Sequence, residues 1–157
     1  MLTDDMKRVI GEQKLGFVAT VNADGTPNLS PKGTMQALDD DHIVFADIRS
    51  PGTMANLARN PAMEINFVDP FVRKGYRFKG SARVVAKGTP EFATLLARFS
   101  TALLPERYRA FVVLHVTKAA PLISPAYDSG ATEAGLRQQF RAYFDLKPRT
   151  KKGSSHE

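Results

Sequence analysis

The sequence predicts a mainly β fold with short helices, an antiparallel barrel or sheet of the α+β kind. Three observations carry that prediction. Six strand-like runs follow one another at hairpin spacing, a few short helical patterns interrupt them, and the β-α-β alternation of a parallel nucleotide-binding sheet is absent. With 157 residues and 43% hydrophobic content, the chain is long enough for one domain burying about 68–70% of its unfolded surface.

At the start, Thr3 is a candidate N-cap, Asp4 and Asp5 occupy the first turn, and Met6, Val9 and Ile10 share one face. Residues 4–13 therefore read as a short amphipathic helix, expected to lie as a lid on something apolar. LGFVATV, residues 15–21, is rich in β-branched and aromatic positions, and Asp24-Gly25 marks a tight turn into a second strand over 27–35. Pro31 and Gly33 would weaken an interior strand, because proline gives no ladder donor and glycine often marks close backbone approach. The acidic turn Asp39-Asp40-Asp41 leads into HIVFAD, residues 42–47, and the segment 30–33 is expected to pair with that third strand through the turn at 36–41.

A helix follows from about Thr53 to Arg59, stopped by Pro61. MEINFV, residues 63–68, alternates as a fourth strand; 69–75 is a turn-bearing loop; and 76–86 is a long fifth strand in which Gly80 suggests a bulge. Residues 91–103 place Phe92, Leu95, Leu96, Phe99 and Leu103 on one helical face. The sixth strand covers 109–116 and extends through 120. A loop over 124–130 then precedes a last helix with Leu136, Phe140 and Phe144 on one side.

The formal charge of +6 has a local source. The last twelve residues, LKPRTKKGSSHE, contribute +3, so residues 1–146 read as the domain and 147–157 as a basic tail expected to stay mobile. The remaining +3 is modest for a surface built to track a phosphate backbone, so no nucleic-acid partner is expected. There is no cysteine, and His42, His115 and His156 are scattered singly; a packed histidine is the commoner use of such positions, and no metal site is expected. A run of about 18 apolar residues and a secretion-signal layout are both missing, which makes a soluble cytoplasmic protein the expectation.

Neither a glycine-rich dinucleotide fingerprint nor a phosphate-loop pattern occurs, and nothing like GxSxG supports a nucleophilic triad. RSPGTMANLARNP, residues 49–61, is more informative. A helix N-terminus exposes unpaired amides and about half a positive charge, which favours an anion. Arg49 adds a cationic fork, Ser50 and Thr53 add hydroxyls, and Gly52 lets a ligand approach the backbone. Each also has an ordinary account, as loop material, N-cap or solvated surface. Lys32 could flank the same cleft, or could be a strand-edge lysine that discourages aggregation.

The succession G-x-P-x-x-S-P-K-G, an acidic turn, a strand ending FAD and then R-S-P-G-T-x-x-N-L-x-x-N-P resembles the flavin-binding split-barrel family related to pyridoxamine 5'-phosphate oxidase. The likeness covers about residues 5–120, and GYRFKGSARVV matches the family's fifth-strand pattern. It implies a six-stranded antiparallel Greek-key split barrel with flanking helices, and a homodimer holding FMN at its interface. Carried over by position, Ser30, Pro31 and Lys32 correspond to the strand along the isoalloxazine and ribityl. Ala46 and Asp47 match the next strand's end, where backbone faces the flavin, and Arg49, Ser50, Gly52, Thr53 and Asn56 fall in the phosphate-binding segment.

The chain departs from the family at two points. Many relatives place an Arg-Lys or Lys-Thr pair where this sequence has Gly52-Thr53, so the positive charge must come from Arg49, Lys32 or a partner subunit. The tryptophan and arginine-rich ending of the true oxidase is missing, since the chain has no Trp. The resemblance thus implies an FMN-dependent oxidoreductase whose substrate, electron donor and catalytic residues are undefined. The alternatives are a non-catalytic FMN carrier or electron-transfer module, or a split barrel holding haem or a deazaflavin. Tyr127 and Asp128 could reach the pocket, though a loop pair of this kind is more often structural.

Overall fold

The turn at residues 22–26 folds as its residues dictate. In the computed structural model, which describes residues 1–99 and 104–145, Gly25 takes a φ of 83°. The Asn22 amide donates to the Thr26 carbonyl at 2.9 Å, and the Asp24 carboxylate accepts from the Thr26 amide at 3.0 Å. This turn joins β1 (Gly16–Val21) to β2 (Pro27–Lys32). The chain continues through β3 (Gln36–Ala37), β4 (His42–Asp47), α2 (Pro51–Arg59), β5 (Ala62–Asp69), β6 (Lys74–Ala86), α3 (Pro90–Phe99), β7 (Ala110–Ile123) and α4 (Glu133–Asp145), with α1 (Asp4–Gln13) ahead of them all.

The strands form one sheet in the order β2-β1-β5-β6-β7-β4-β3, antiparallel at every junction. There are seven strands rather than the six expected; the addition is β3, too short to leave a periodic signal. β1 and β4 have three strands between them, yet Val18 of β1 shares one apolar cluster with Ile43 and Phe45 of β4, together with Ile65, Phe67, Phe78, Val112 and Leu114. The sheet therefore curls around its own inner face. Leu2, Val9 and Ile10 join that cluster, so α1 closes over apolar side chains, as its amphipathic pattern requires. The Thr3 hydroxyl accepts from the Met6 amide at 3.3 Å, which makes Thr3 the N-cap.

A second cluster lies on the opposite face, where Phe92, Leu95 and Phe99 of α3 pack with Val85, Tyr108, Phe111 and Val113. Val44 and Ala46 face this cluster while Ile43 and Phe45 face the first. β4 is thus covered on both sides, which is why HIVFAD reads as an unbroken apolar run. The helix expected to reach residue 103 is described to Phe99, and Leu103 lies outside the described residues, as does the tail from 147. Gly80 does sit at a break in register between β6 and β7. A Cβ there would come within 1.8 Å of the His115 carbonyl oxygen, so the bulge needs glycine.

Two local expectations need correction. β2 ends at Lys32, and segment 30–33 does not pair with β4: β2 bonds to β1, while β4 bonds to β7 and β3. Pro31, opposite Phe17, supplies no ladder donor, so β2 is stable as an edge strand but not between two neighbours. Residues 124–130 contain a turn of 3-10 helix, Pro125–Ser129, rather than plain loop. Beyond it α4 docks on the β5–β6 turn, with the Arg73 guanidinium 3.9 Å from the Phe140 ring centroid and Arg137 3.3 Å from Asp69. Among the described residues, no helix is long and apolar enough to cross a membrane.

Candidate functional site

β4 ends at Asp47, and Ile48 and Arg49 carry the chain to Ser50, the N-cap of α2. Pro51 takes the first helical position, where its lack of an N–H costs nothing. The first intrahelical bond is from the Met54 amide to the Ser50 carbonyl at 3.0 Å, so helix geometry leaves the Gly52 and Thr53 amides without intrahelical acceptors. The Ser50 side chain makes no capping bond to them. Instead its Oγ accepts from Lys32 Nζ at 2.7 Å, and Ser30 Oγ accepts from the same nitrogen at 2.7 Å.

Lys32, at the end of an edge strand, is only 9% exposed. Burial pushes its amine below the ordinary lysine value, and the negative charge of Asp47 pulls the other way. Asp47 is itself buried, and its Oδ1 has no hydrogen-bond donor. An ammonium, two hydroxyls and two helix-start amides thus converge beside a buried carboxylate. Such a set can hold an oxyanion through its donors and accept one hydrogen bond through Asp47.

Asn56 faces inward from α2 and spends its whole amide inside the protein. Its Nδ2 donates to Thr20 Oγ1 at 3.0 Å and Asn22 Oδ1 at 2.9 Å, while its Oδ1 accepts from Arg59 at 2.8 Å. Thr20 also accepts from Asn28 Nδ2 at 3.2 Å. This network docks α2 on the β1–β2 hairpin and fixes where the helix start points. Asn56 therefore acts on the site through the helix.

Thr34, two residues beyond β2, lies opposite Ala46 in the continued register of β3 and β4. Thr34 Oγ1 accepts from the Ala46 amide at 3.0 Å and donates to the Ala46 carbonyl at 3.4 Å, standing in for a ladder pair. Of the residues singled out in sequence, Ser30, Lys32 and Ser50 are thus bonded together, and Asp47 is close enough for its charge to act on Lys32. Thr53 is buried beneath α2, and Ala46 has its main chain held by Thr34. Arg49 and Gly52 are exposed, Gly52 with open space on its Cβ side apart from Asn28 Oδ1 at 3.9 Å, and Pro31 is exposed on β2. Tyr127 donates its hydroxyl to the Val72 carbonyl at 2.6 Å, the structural use. Thr34, Thr20, Asn22 and Asn28 were not singled out; the one available signal was a polar Thr20 at an inward position of β1.

An antiparallel sheet curled around a buried core, with β2 and β3 at its two edges, has the architecture of a split barrel. The comparisons agree. The Pyridoxamine 5'-phosphate oxidase family model matches residues 2–121, and the chain belongs to that family. HupZ of Group A Streptococcus is 32% identical, with a TM-score of 0.71 over 79% of this chain and 96% of its own. A Lactobacillus delbrueckii protein classed with the pyridoxamine 5'-phosphate oxidases is 26% identical, with a TM-score of 0.65 over 76% of this chain and 93% of its own. An FMN-binding protein of Syntrophomonas wolfei shares the fold, at 15% identity and a TM-score of 0.61 over 74% of this chain and 82% of its own.

Proposed function

We propose that this chain is an FMN-binding flavoprotein acting as an oxidoreductase, its cofactor's phosphate received at the junction of β4 and α2. The observation that carries the proposal is the bond from Lys32 Nζ to Ser50 Oγ. It brings a buried cation from β2 to a helix start whose amides lack intrahelical partners, and so supplies the charge that Gly52-Thr53 cannot. Family membership and the FMN-binding relative support the choice of FMN.

Lys32, Ser30, Ser50 and the amides of Gly52 and Thr53 would hold the phosphate, with Arg49 adding charge at the exposed rim. Asp47 Oδ1 would accept from a donor on the ligand. Asn56 keeps α2 aimed at the site. When bound, FMN would supply hydride or electron transfer, and the chain would supply position, charge and exclusion of water.

A homodimer completes this reading. Phe17, Leu29 and Pro31 are exposed on β1 and β2, with Phe17 opposite Pro31 and Ala19 opposite Leu29 across the ladder. This apolar edge borders an open groove of about 550 Å³ lined by Ala19, Val21, Pro27 and Met63. The walls of the groove include none of the Lys32–Ser50 residues, so it suits a partner surface better than the phosphate.

The test is absorption of the purified protein together with fluorescence titration by FMN and riboflavin. A flavin spectrum or saturable FMN uptake is expected, and Arg49→Ala should weaken FMN more than riboflavin. Colourless protein that takes up no added FMN overturns the reading, and a haem or deazaflavin spectrum replaces the cofactor. Turnover with a reduced nicotinamide or oxygen separates an oxidoreductase from a carrier.

A further inference from the structure

Two histidines far apart in sequence meet on the barrel's outer face. His42 opens β4, His115 lies in β7, and the register sets them directly opposite. The Val116 amide donates to the Asp41 carbonyl at 2.8 Å, which makes Asp41–Val116 a hydrogen-bonded pair. The next pair, His42–His115, is therefore of the non-hydrogen-bonded kind, in which opposed side chains come closest. Their ring centroids are 5.1 Å apart, with the planes at 31°. Two imidazoles sharing one tetrahedral ion at nitrogen–metal distances of about 2.0–2.1 Å would hold their centroids roughly 5 Å apart.

A third residue sets the chemistry of one ring. The Asp39 carboxylate oxygens lie 2.8 and 3.0 Å from His42 Nδ1, and Asp39 also accepts from the Asp41 amide at 2.8 Å. A carboxylate on Nδ1 leaves Nε2 as the free nitrogen and is the outer-shell partner that metal-bound histidines habitually have. His42 is one-third exposed, His115 more so, so an ion can reach both rings from solvent, while Asp40 and Asp41 of the same turn are paired with Lys7 and the N-terminal ammonium. A purely packed histidine pair would share the ring spacing, so the experiment has to separate the two.

We propose that His42 and His115 form a binding site for one imidazole-preferring divalent transition ion, Zn2+, Ni2+ or Cu2+, with Asp39 as the positioning residue. Among the described residues no group of three or more His, Cys, Asp or Glu side chains is placed to hold a metal, so the ion takes two protein nitrogens and completes its shell with water. His42 and Asp47 are at opposite ends of β4, roughly 17 Å apart at strand rise. The ion would clip β4 to β7 well away from the Lys32–Ser50 junction, and the proposal does not depend on FMN.

The test is calorimetric titration of Zn2+ into the full chain, free of any appended histidines, beside His42→Ala, His115→Ala, Asp39→Asn and His156→Ala. Wild type and His156→Ala should each bind one saturable equivalent. Each of the first two variants should lose at least about tenfold in affinity, and Asp39→Asn about tenfold. Thermal melts without metal establish that each variant folds, with glutamine replacing alanine where one does not. Substoichiometric Cu2+ should broaden the ring proton signals of His42 and His115 together. Absence of saturable binding by wild type, or unchanged affinity in either His42→Ala or His115→Ala, overturns the proposal.

Discussion

Lys32 Nζ donates to Ser50 Oγ across 18 positions of sequence, at 2.7 Å. It ties the end of an edge strand to the start of a helix. Replacing Lys32 by Met keeps much of the stem's packing and removes the charge. On the phosphate reading this should lower FMN affinity by about tenfold to a hundredfold, the worth of a charge-assisted hydrogen bond, with far less effect on riboflavin. Parallel fluorescence titrations measure the difference, and equal losses for both ligands would remove Lys32 from the phosphate site.

Asn56 makes three side-chain bonds from a site 2% exposed. Asn56→Ala should destabilise the fold by about 2–3 kcal/mol, because Thr20, Asn22 and Arg59 lose a partner and little water can replace it. Urea denaturation gives the number. A loss within a few tenths of a kcal/mol would mean that α2 is held by its apolar face alone.

The extent to which these relationships could be read beforehand depends on distance along the chain. The turn at 22–26, the bulge at Gly80 and the lid helix rest on local chemistry, and each is where its residues indicate. Pro31 correctly marked a strand unfit for the sheet interior. The pairing of 30–33 with β4 failed for a different reason: chain proximity suggested a hairpin, whereas β2 lies at one edge of the sheet beside β1 and the hairpin with β4 is made by β3, continued to Thr34 by its bonds to Ala46. The Asn56 network joins residues 34 and 36 positions apart, and His42 meets His115 only through the β4–β7 register. No periodicity encodes either. The sequence offered the donors as a list; that Lys32 bonds to Ser30 and Ser50 among them was not legible.

Thr34 supplies the test of that β3–β4 continuation. Thr34→Val keeps the shape and leaves the Ala46 amide without its 3.0 Å acceptor, at an expected cost of about 1–2 kcal/mol. Thr34→Ser retains the hydroxyl and should recover most of it. Hydrogen exchange at the Ala46 amide should quicken in the valine variant alone; equal protection in both variants would assign this end of the β3–β4 hairpin to packing.

The buried Lys32 amine also gives stability a pH dependence whose sign is fixed. Burial lowers its folded-state pKa below the ordinary 10.5, while the unfolded chain stays near that value. Between the two, the unfolded state binds more protons, so stability rises with pH through this window. The cost of burying the ammonium is felt in full below the folded-state pKa and fades above it. Urea midpoints taken stepwise from neutral pH towards 10.5 should therefore rise for wild type relative to Lys32→Met. Bound phosphate opposes the trend because it favours the ammonium, so FMN affinity should fall across the same window while riboflavin affinity changes little. Identical pH profiles for wild type and Lys32→Met, in both stability and FMN binding, would show that this lysine is solvated in both states and carries no charge to a ligand.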